Sequence, residues 1–178
     1  MALELRPIPA RDYDLVRHIA VAPDQVLFSG TTAQAFNTAE DGVDFHAIFF
    51  QGAAVGFFKI DRAYGLAQGL ELGLRGFMID HLYQQKRYAT RALQAMPDYL
   101  RHHYPNHTGL VLTVDLHNLT AISLYRKTGF TQAQDLHFGG LFGLQLVMRM
   151  ALPGAERLDL GDRRAQLTTQ PCLPCQLS

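Results

Sequence analysis

The sequence predicts an α/β domain with a mixed central sheet of about six to seven strands flanked by helices. Three observations carry this reading. A buried strand around Phe77, Met78 and Ile79 feeds directly into a helix, in which Tyr88, Ala89, Ala92, Leu93 and Met96 recur at helical spacing. A second unit repeats the order, with the apolar run 110–114 leading into an amphipathic stretch over 118–127. Before and after these units lie apolar segments joined by short glycine turns, which pair antiparallel. Strands joined through a helix run parallel and strands joined by a tight turn run antiparallel, so one sheet must hold both kinds of pairing.

The elements follow in order. Leu3, Leu5 and Ile8 sit among polar residues in a short strand, and Pro9 then opens a helix over Tyr13, Leu15, Val16 and Ile19. Residues 21–28 read as a linker, followed by a second helix over 32–36 and a polar break over 37–42. Segments 45–50 and 53–60, joined by Gln51 and Gly52, form an antiparallel hairpin rich in aromatic and β-branched residues. A loop over 61–69 leads to a strand over 70–80 in which Gly73 and Gly76 mark a bulge or a close approach. The next helix contains Pro97, where the missing N–H and ring clash predict a kink, and it ends before Pro105. The strand 110–114 is expected to run parallel to Phe77, Met78 and Ile79. A helix over 118–127, a strand over 131–138, a Gly139-Gly140 turn and a strand over 144–150 complete the domain.

Two stretches carry the chemistry. The junction Gln84, Gln85, Lys86, Arg87, Tyr88, Ala89, Thr90 joins a strand to the start of a helix. The first N–H groups of a helix lack internal partners and carry the positive end of its dipole, so the junction suits a phosphate or pyrophosphate. Downstream, Ala121 and Tyr125 stand four apart on one helix face, a small residue leaving room and a large one beside it. Gly129 fits a left-handed helix cap, and Arg126 and Lys127 occupy the last turn, where cations are favoured.

At these residues the chain resembles the GNAT superfamily of acyl-CoA-dependent N-acetyltransferases. The pyrophosphate loop of that family reads Gln or Arg, two residues, Gly, one residue, then Gly or Ala. Gln84, Arg87 and Ala89 occupy the three places, with arginine where the pattern has glycine. Arginine adds a Cβ and loses the freedom of positive φ, but it can pair bidentately with phosphate. Asn118, Ala121, Tyr125, Gly129 and Phe130 match the family's later pattern at every place. Val55-Gly56-Phe57-Phe58 is similar to a strand common in the family, and Ala22-Pro23-Asp24-Gln25 is similar to a stretch of its bacterial polyamine acetyltransferase branch.

The resemblance implies a GNAT fold with a splay between two parallel central strands, and acetyl-CoA as cosubstrate without a metal. It implies transfer of the acetyl group to a primary amine, with Tyr125 protonating the leaving sulfur and a backbone N–H at Met78-Ile79 receiving the oxyanion. Phe77, Met78, Ile79, Gln84, Gln85, Lys86, Arg87, Tyr88, Ala89, Thr90 and Asn118 would bind the cofactor, Asn118 by touching its arm or by holding the strand-to-helix bend. The base is open between Glu71, His46 and Asp115. Arg75 stands where related polyamine enzymes carry a glutamate, which points away from polycations and toward an amine bearing a carboxylate, such as an amino acid or peptide terminus. The alternative is a noncatalytic acyl-CoA-binding module of the same fold. Dimers are common in the family, so a homodimer is the assembly the resemblance suggests.

Composition sets the outer bounds. The chain of 178 residues with 48% apolar content fits one domain, assigned here to 1–152, with 153–178 as a weakly ordered extension. Zero formal net charge argues against nucleic acid or an anionic membrane as partner. The absence of a signal-peptide pattern and of a spanning apolar run points to the cytoplasm. Both cysteines, Cys172 and Cys175, lie in the extension and supply only half a zinc site. His102, His103 and His107 have no carboxylate or cysteine at ligand spacing and read as surface residues near a helix end.

Overall fold

A computed structural model describes residues 3–139 and 143–154. Seven strands form one sheet in the order β1-β2-β3-β4-β5-β7-β6. They are β1 (Leu3–Ile8), β2 (Val43–Phe50), β3 (Ala53–Asp61), β4 (Glu71–Ile79), β5 (Gly109–Asp115), β6 (Thr131–Phe138) and β7 (Leu144–Ala151). Every neighbouring pair is antiparallel except β4 and β5, which run parallel. The helices are α1 (Pro23–Ser29), α2 (Thr32–Asn37), α3 (Tyr88–His103) and α4 (Leu119–Lys127).

Alternation along the strands sorts the core into two layers. Ile48, Phe58 and Ile60 join Leu93, Met96 and Leu100 of α3 and Ile122 of α4 on one face. Phe45, Ala47, Phe49, Phe57 and Met78 meet Val16, Ile19 and Ala35 on the other. The β2–β3 hairpin turns through Gln51 (φ 52°) and Gly52 (φ 83°), the two positive angles that a tight hairpin turn requires. Among the described residues, no helix is long and apolar enough to cross a membrane.

Two sequence readings change. The stretch read as a linker contains α1, with Pro23 at its first position and the Gln25 side chain accepting from the Ala22 N–H at 3.3 Å. The first predicted helix is instead a short 3₁₀ segment, Ala10–Leu15, with Asp12 outside helical geometry. The expected parallel run of β5 beside β4 is present, paired through Glu71, Leu72 and Gly73, with Phe77, Met78 and Ile79 on the part of β4 beyond the pairing. Pro97 sits inside α3, which continues to His103. The segment 155–178, with Cys172 and Cys175, lies outside the described residues.

Candidate active site

The site begins with a missing pairing. β4 and β5 are in register only through Glu71↔Gly109, Leu72↔Leu110 and Gly73↔Val111. Both strands continue, β4 to Ile79 and β5 to Asp115, without pairing further. Past Gly73 the side of β4 toward β5 has no strand partner among the described residues, whereas its other side still pairs Phe57↔Met78 and Gly56↔Ile79. The divergence coincides with a bulge, because the two-residue step of β3 from Phe57 to Lys59 is matched by a three-residue step of β4 from Met78 to Arg75. Gly76 takes φ +57° there, an angle only glycine adopts without strain. Gly73 answers a different need: the Tyr64 ring lies against it and leaves no room for a Cβ. That ring carries its hydroxyl to within 3.3 Å of Thr113 Oγ1, so Tyr64 links the loop before β4 to β5 beyond their last paired residue.

One wall of the split ends in the predicted anion cradle. Buried Asp80 accepts from the N–H of Ala20 at 3.0 Å and of Leu82 at 2.9 Å, fixing the turn that follows β4. Gln85 (φ 61°) and Arg87 (φ 63°) are both left-handed, and Arg87 is the residue from which α3 starts. Residues in such conformations turn successive N–H groups toward a common side, the arrangement that receives anions. The place where the family pattern has glycine therefore keeps the glycine backbone, and arginine adopts it at a cost of about 1–2 kcal/mol. Gln85, Lys86 and Arg87 are exposed, while Ala89 and Thr90 are half-buried. The Tyr88 ring is anchored against Phe50 and Tyr83, with centroids 4.8 and 6.2 Å away. The Lys86 ammonium bonds the Leu82 carbonyl at 3.0 Å.

Gln84 turns inward. Its Nε2 donates to the Ile79 carbonyl at 3.0 Å and to Gln25 Oε1 at 2.8 Å, which places Gln25 of α1 in the site's framework. Sequence reading noted Gln25 only within the Ala22-Pro23-Asp24-Gln25 resemblance and gave it no place in the site; its local structural signal is its position three residues after Ala22 in a capping pattern.

The other wall is the β5–α4 junction. Asn118 Oδ1 accepts from the Ala121 N–H at 3.1 Å, so this residue caps α4 and holds the strand-to-helix bend. Tyr125 packs edge-on to Phe130 at 5.4 Å, and burial pushes its hydroxyl ionisation well above the usual phenol range. No hydrogen bond to this hydroxyl occurs among the described residues. Phe77, Ile79, Tyr88, Ala89, Ala121 and Tyr125 all belong to the apolar layer on one face of the sheet, and Met78 to the layer on the other. Gly129 (φ +102°) ends α4, and the Phe130 N–H returns to the Tyr125 carbonyl at 3.0 Å.

The three candidate bases are all engaged elsewhere. Glu71 pairs with Arg149 at the closed end of the split, beside a 360 Å³ cavity. It stands eight residues, about 26 Å of strand, from Ile79. His46 is buried between Tyr99 and Tyr104, and burial lowers its pKa to about 3. The Tyr104 hydroxyl donates to Asp44 at 2.8 Å, so its oxygen accepts from His46 Nε2–H, and Nδ1 accepts from the Tyr99 hydroxyl at 2.7 Å. Asp115 is buried and takes both the N–H and the ring Nδ1 of His117, each at 2.8 Å. Arg75 is likewise engaged, bonded to Asp61 at 3.0 Å and to Glu40 at 3.5 Å. Its charge is balanced within the protein, which removes the ground on which it pointed to a carboxylate. Among the described residues, no group of three or more His, Cys, Asp or Glu is placed to hold a metal ion.

Residues 10–130 match the model of the acetyltransferase (GNAT) family. This chain belongs to the GNAT family. By sequence alone, no curated protein matches it. Among solved structures, aminoglycoside acetyltransferase AAC(6')-Ib in complex with paromomycin and acetyl-CoA is similar at TM-score 0.69 and 19% identity, over 91% of this chain and 99% of that one. Spermidine N-acetyltransferase from Vibrio cholerae, in complex with CoA and spermine, is similar at TM-score 0.66 and 14% identity, over 86% of this chain and 98% of that one. At such identities the likeness is one of fold. The splayed parallel pair places this GNAT chain's two sequence motifs on opposite walls of one opening.

Proposed function

We propose that this GNAT protein moves an acetyl group from acetyl-CoA to a primary amine by direct attack. The observation that carries the reading is the β4–β5 split, with the start of α3 on one wall and the helix of Tyr125 on the other. The residues suit the cosubstrate. The left-handed loop at Gln85 and Arg87, with the first N–H groups of α3 at Tyr88, Ala89 and Thr90, receives the pyrophosphate. The Lys86 and Arg87 side chains add charge there, and the unpaired side of Phe77, Met78 and Ile79 lines the pantetheine arm and thioester. Gln84 and Asn118 serve by holding backbone, the first at Ile79 and the second at the bend before α4.

The amine nitrogen bonds to the thioester carbonyl carbon, and the negative charge that develops on the oxygen is met by a backbone N–H at Met78-Ile79. Collapse of the tetrahedral intermediate breaks the C–S bond, and the thiolate takes a proton from the Tyr125 hydroxyl, which solvent then restores. The ammonium proton before attack and the second nitrogen proton from the tetrahedral intermediate both leave to water, because Glu71, His46 and Asp115 are each held by other groups. That last point also favours a second reading, a noncatalytic acyl-CoA-binding module. Acetyl-CoA offered with a broad amine panel separates the two. Steady CoA release supports transfer, and thermal stabilisation by acetyl-CoA without release supports the binding module.

A further inference from the structure

The bulge of β4 lies beneath a lysine whose ammonium contacts no partner among the described residues. Lys59 of β3 is the register partner of Arg75, and on the alternating strand it shares a face with Phe57 and Asp61. A Cβ built on Gly76 would stand 3.4 Å from Lys59 Cε and 3.5 Å from the Ser29 carbonyl oxygen. The lysine stem therefore runs over the bulge, beneath the last residue of α1. Gly76 lies beyond Gly73, the last residue of β4 paired to β5, and is two residues, about 7 Å of strand, from Met78.

The charged groups near this ammonium are Arg75, Glu40 and Asp61. Both acids are committed to Arg75, and Asp61 gives its second oxygen to the Ala63 N–H at 2.9 Å. Among the described residues, Lys59 forms no ion pair or hydrogen bond. It is half-buried, and burial together with the neighbouring Arg75 makes its charged form harder to hold than that of a free lysine. Glu40 and Asp61 together offset the charges of Arg75 and Lys59, but neither carboxylate contacts the lysine. Its half-buried ammonium therefore has no acceptor among the described residues, and a carboxylate arriving from outside would supply one.

We propose that Lys59 anchors an anionic group of the acceptor, so that the amine this protein acetylates carries a carboxylate. The proposal rests on the N-acetyltransferase reading and narrows its substrate to amines of amino-acid type. It transfers to Lys59 the role that the sequence suggested for Arg75, whose charge is already balanced.

Matched pairs that differ by one carboxylate test it: ornithine against putrescine, lysine against cadaverine, and histidine against histamine, each with acetyl-CoA. The wild-type protein is expected to favour the carboxylated member at least tenfold in kcat/KM. Lys59→Met, which keeps the stem over Gly76, should bring the ratio near one by raising KM for the carboxylated member alone, and Lys59→Arg should retain the preference. A wild-type preference for the decarboxylated amines overturns the proposal whether or not a variant folds, as does a ratio that survives in Lys59→Met. In both cases N-acetyltransfer itself still stands. Absence of CoA release with every member of the panel removes the acetyltransferase reading, and the anchor with it.

Discussion

Gln25 and Gln84 exchange two hydrogen bonds through their side-chain amides, Gln84 Nε2 to Gln25 Oε1 at 2.8 Å and Gln25 Nε2 to Gln84 Oε1 at 3.3 Å. Because Gln84 Nε2 also bonds the Ile79 carbonyl, the pair joins α1, the cradle and the end of β4 in one framework. Truncating either partner leaves a half-buried amide short of a bond, which costs about 1–3 kcal/mol. Gln25→Ala should lower the melting temperature and weaken acetyl-CoA binding, although α1 carries no part of the cradle. A double-mutant cycle with Gln84→Ala should give a coupling of about 1 kcal/mol. Additive losses would show that the two amides act independently.

Arg87 supplies a backbone conformation and a charge, and two substitutions separate them. Arg87→Gly removes the left-handed penalty and should leave the unliganded protein as stable as the wild type or more so, by up to about 1 kcal/mol after the entropy of an unfolded glycine is counted. Arg87→Ala keeps the penalty and loses only the guanidinium. Loss of a charge-assisted bond to phosphate should weaken acetyl-CoA affinity roughly tenfold or more in Arg87→Ala, read by calorimetry. Unchanged affinity would place the guanidinium away from the phosphates.

Gly56 is where β3 lets β4 come close. A Cβ there would stand 2.7 Å from the Met78 carbonyl oxygen and 2.8 Å from the terminal methyls of Ile48 and Ile79. Two of these contacts belong to the segment proposed to face the thioester, so Gly56→Ala should displace it as well as overpack the core. An expected loss of about 1–3 kcal/mol in chemical denaturation should come with a fall in kcat. Full activity in this variant would mean that the segment tolerates displacement.

What the sequence disclosed was local. The Gln51-Gly52 turn, the helix cap at Gly129 and the bulge glycine at Gly76 each follow from a residue's own conformational range. Pairings between distant segments were hidden: Arg75 meets Asp61 and Glu40 from 14 and 35 residues away, and His46 finds Tyr99 and Tyr104 from 53 and 58 away. No propensity reports such meetings, so Arg75 looked like an unbalanced cation and His46 like an available base. Arg87 is the converse case. Its identity argued against positive φ, and the loop imposes it nonetheless. α1 was written in plain terms, with proline at its first position and glutamine two residues later, but a helix of seven residues leaves little periodicity to detect.

His46 gives the acid limb of stability. An unfolded histidine titrates near 6.5, whereas in the fold burial lowers His46 to about 3. Above 6.5 neither state takes up a proton at this residue, and its contribution to stability is complete. As pH falls from 6.5 toward 3 the unfolded chain binds a proton that the folded chain refuses, and stability drops by up to about 1.4 kcal/mol per pH unit. Denaturation of the wild type and of His46→Gln between pH 7 and 4 should differ by about one proton in slope, and parallel curves would contradict the assignment.

Tyr125 decides whether the second wall of the split does chemistry. Its hydroxyl is held in the protonated form by burial, so across the working pH range it can donate to a departing thiolate, and its own ionisation contributes no basic limb to the rate. Tyr125→Phe keeps the ring against Phe130 and removes only the donor. The expected result is a fall in kcat of roughly 100-fold or more with acetyl-CoA affinity little changed. An acyl donor whose leaving group is a weaker base needs less help from an acid, so the deficit should shrink when an activated thioester replaces acetyl-CoA. A deficit of equal size with both donors would mean that the hydroxyl positions the thioester without protonating sulfur, and full activity in Tyr125→Phe would remove it from the reaction.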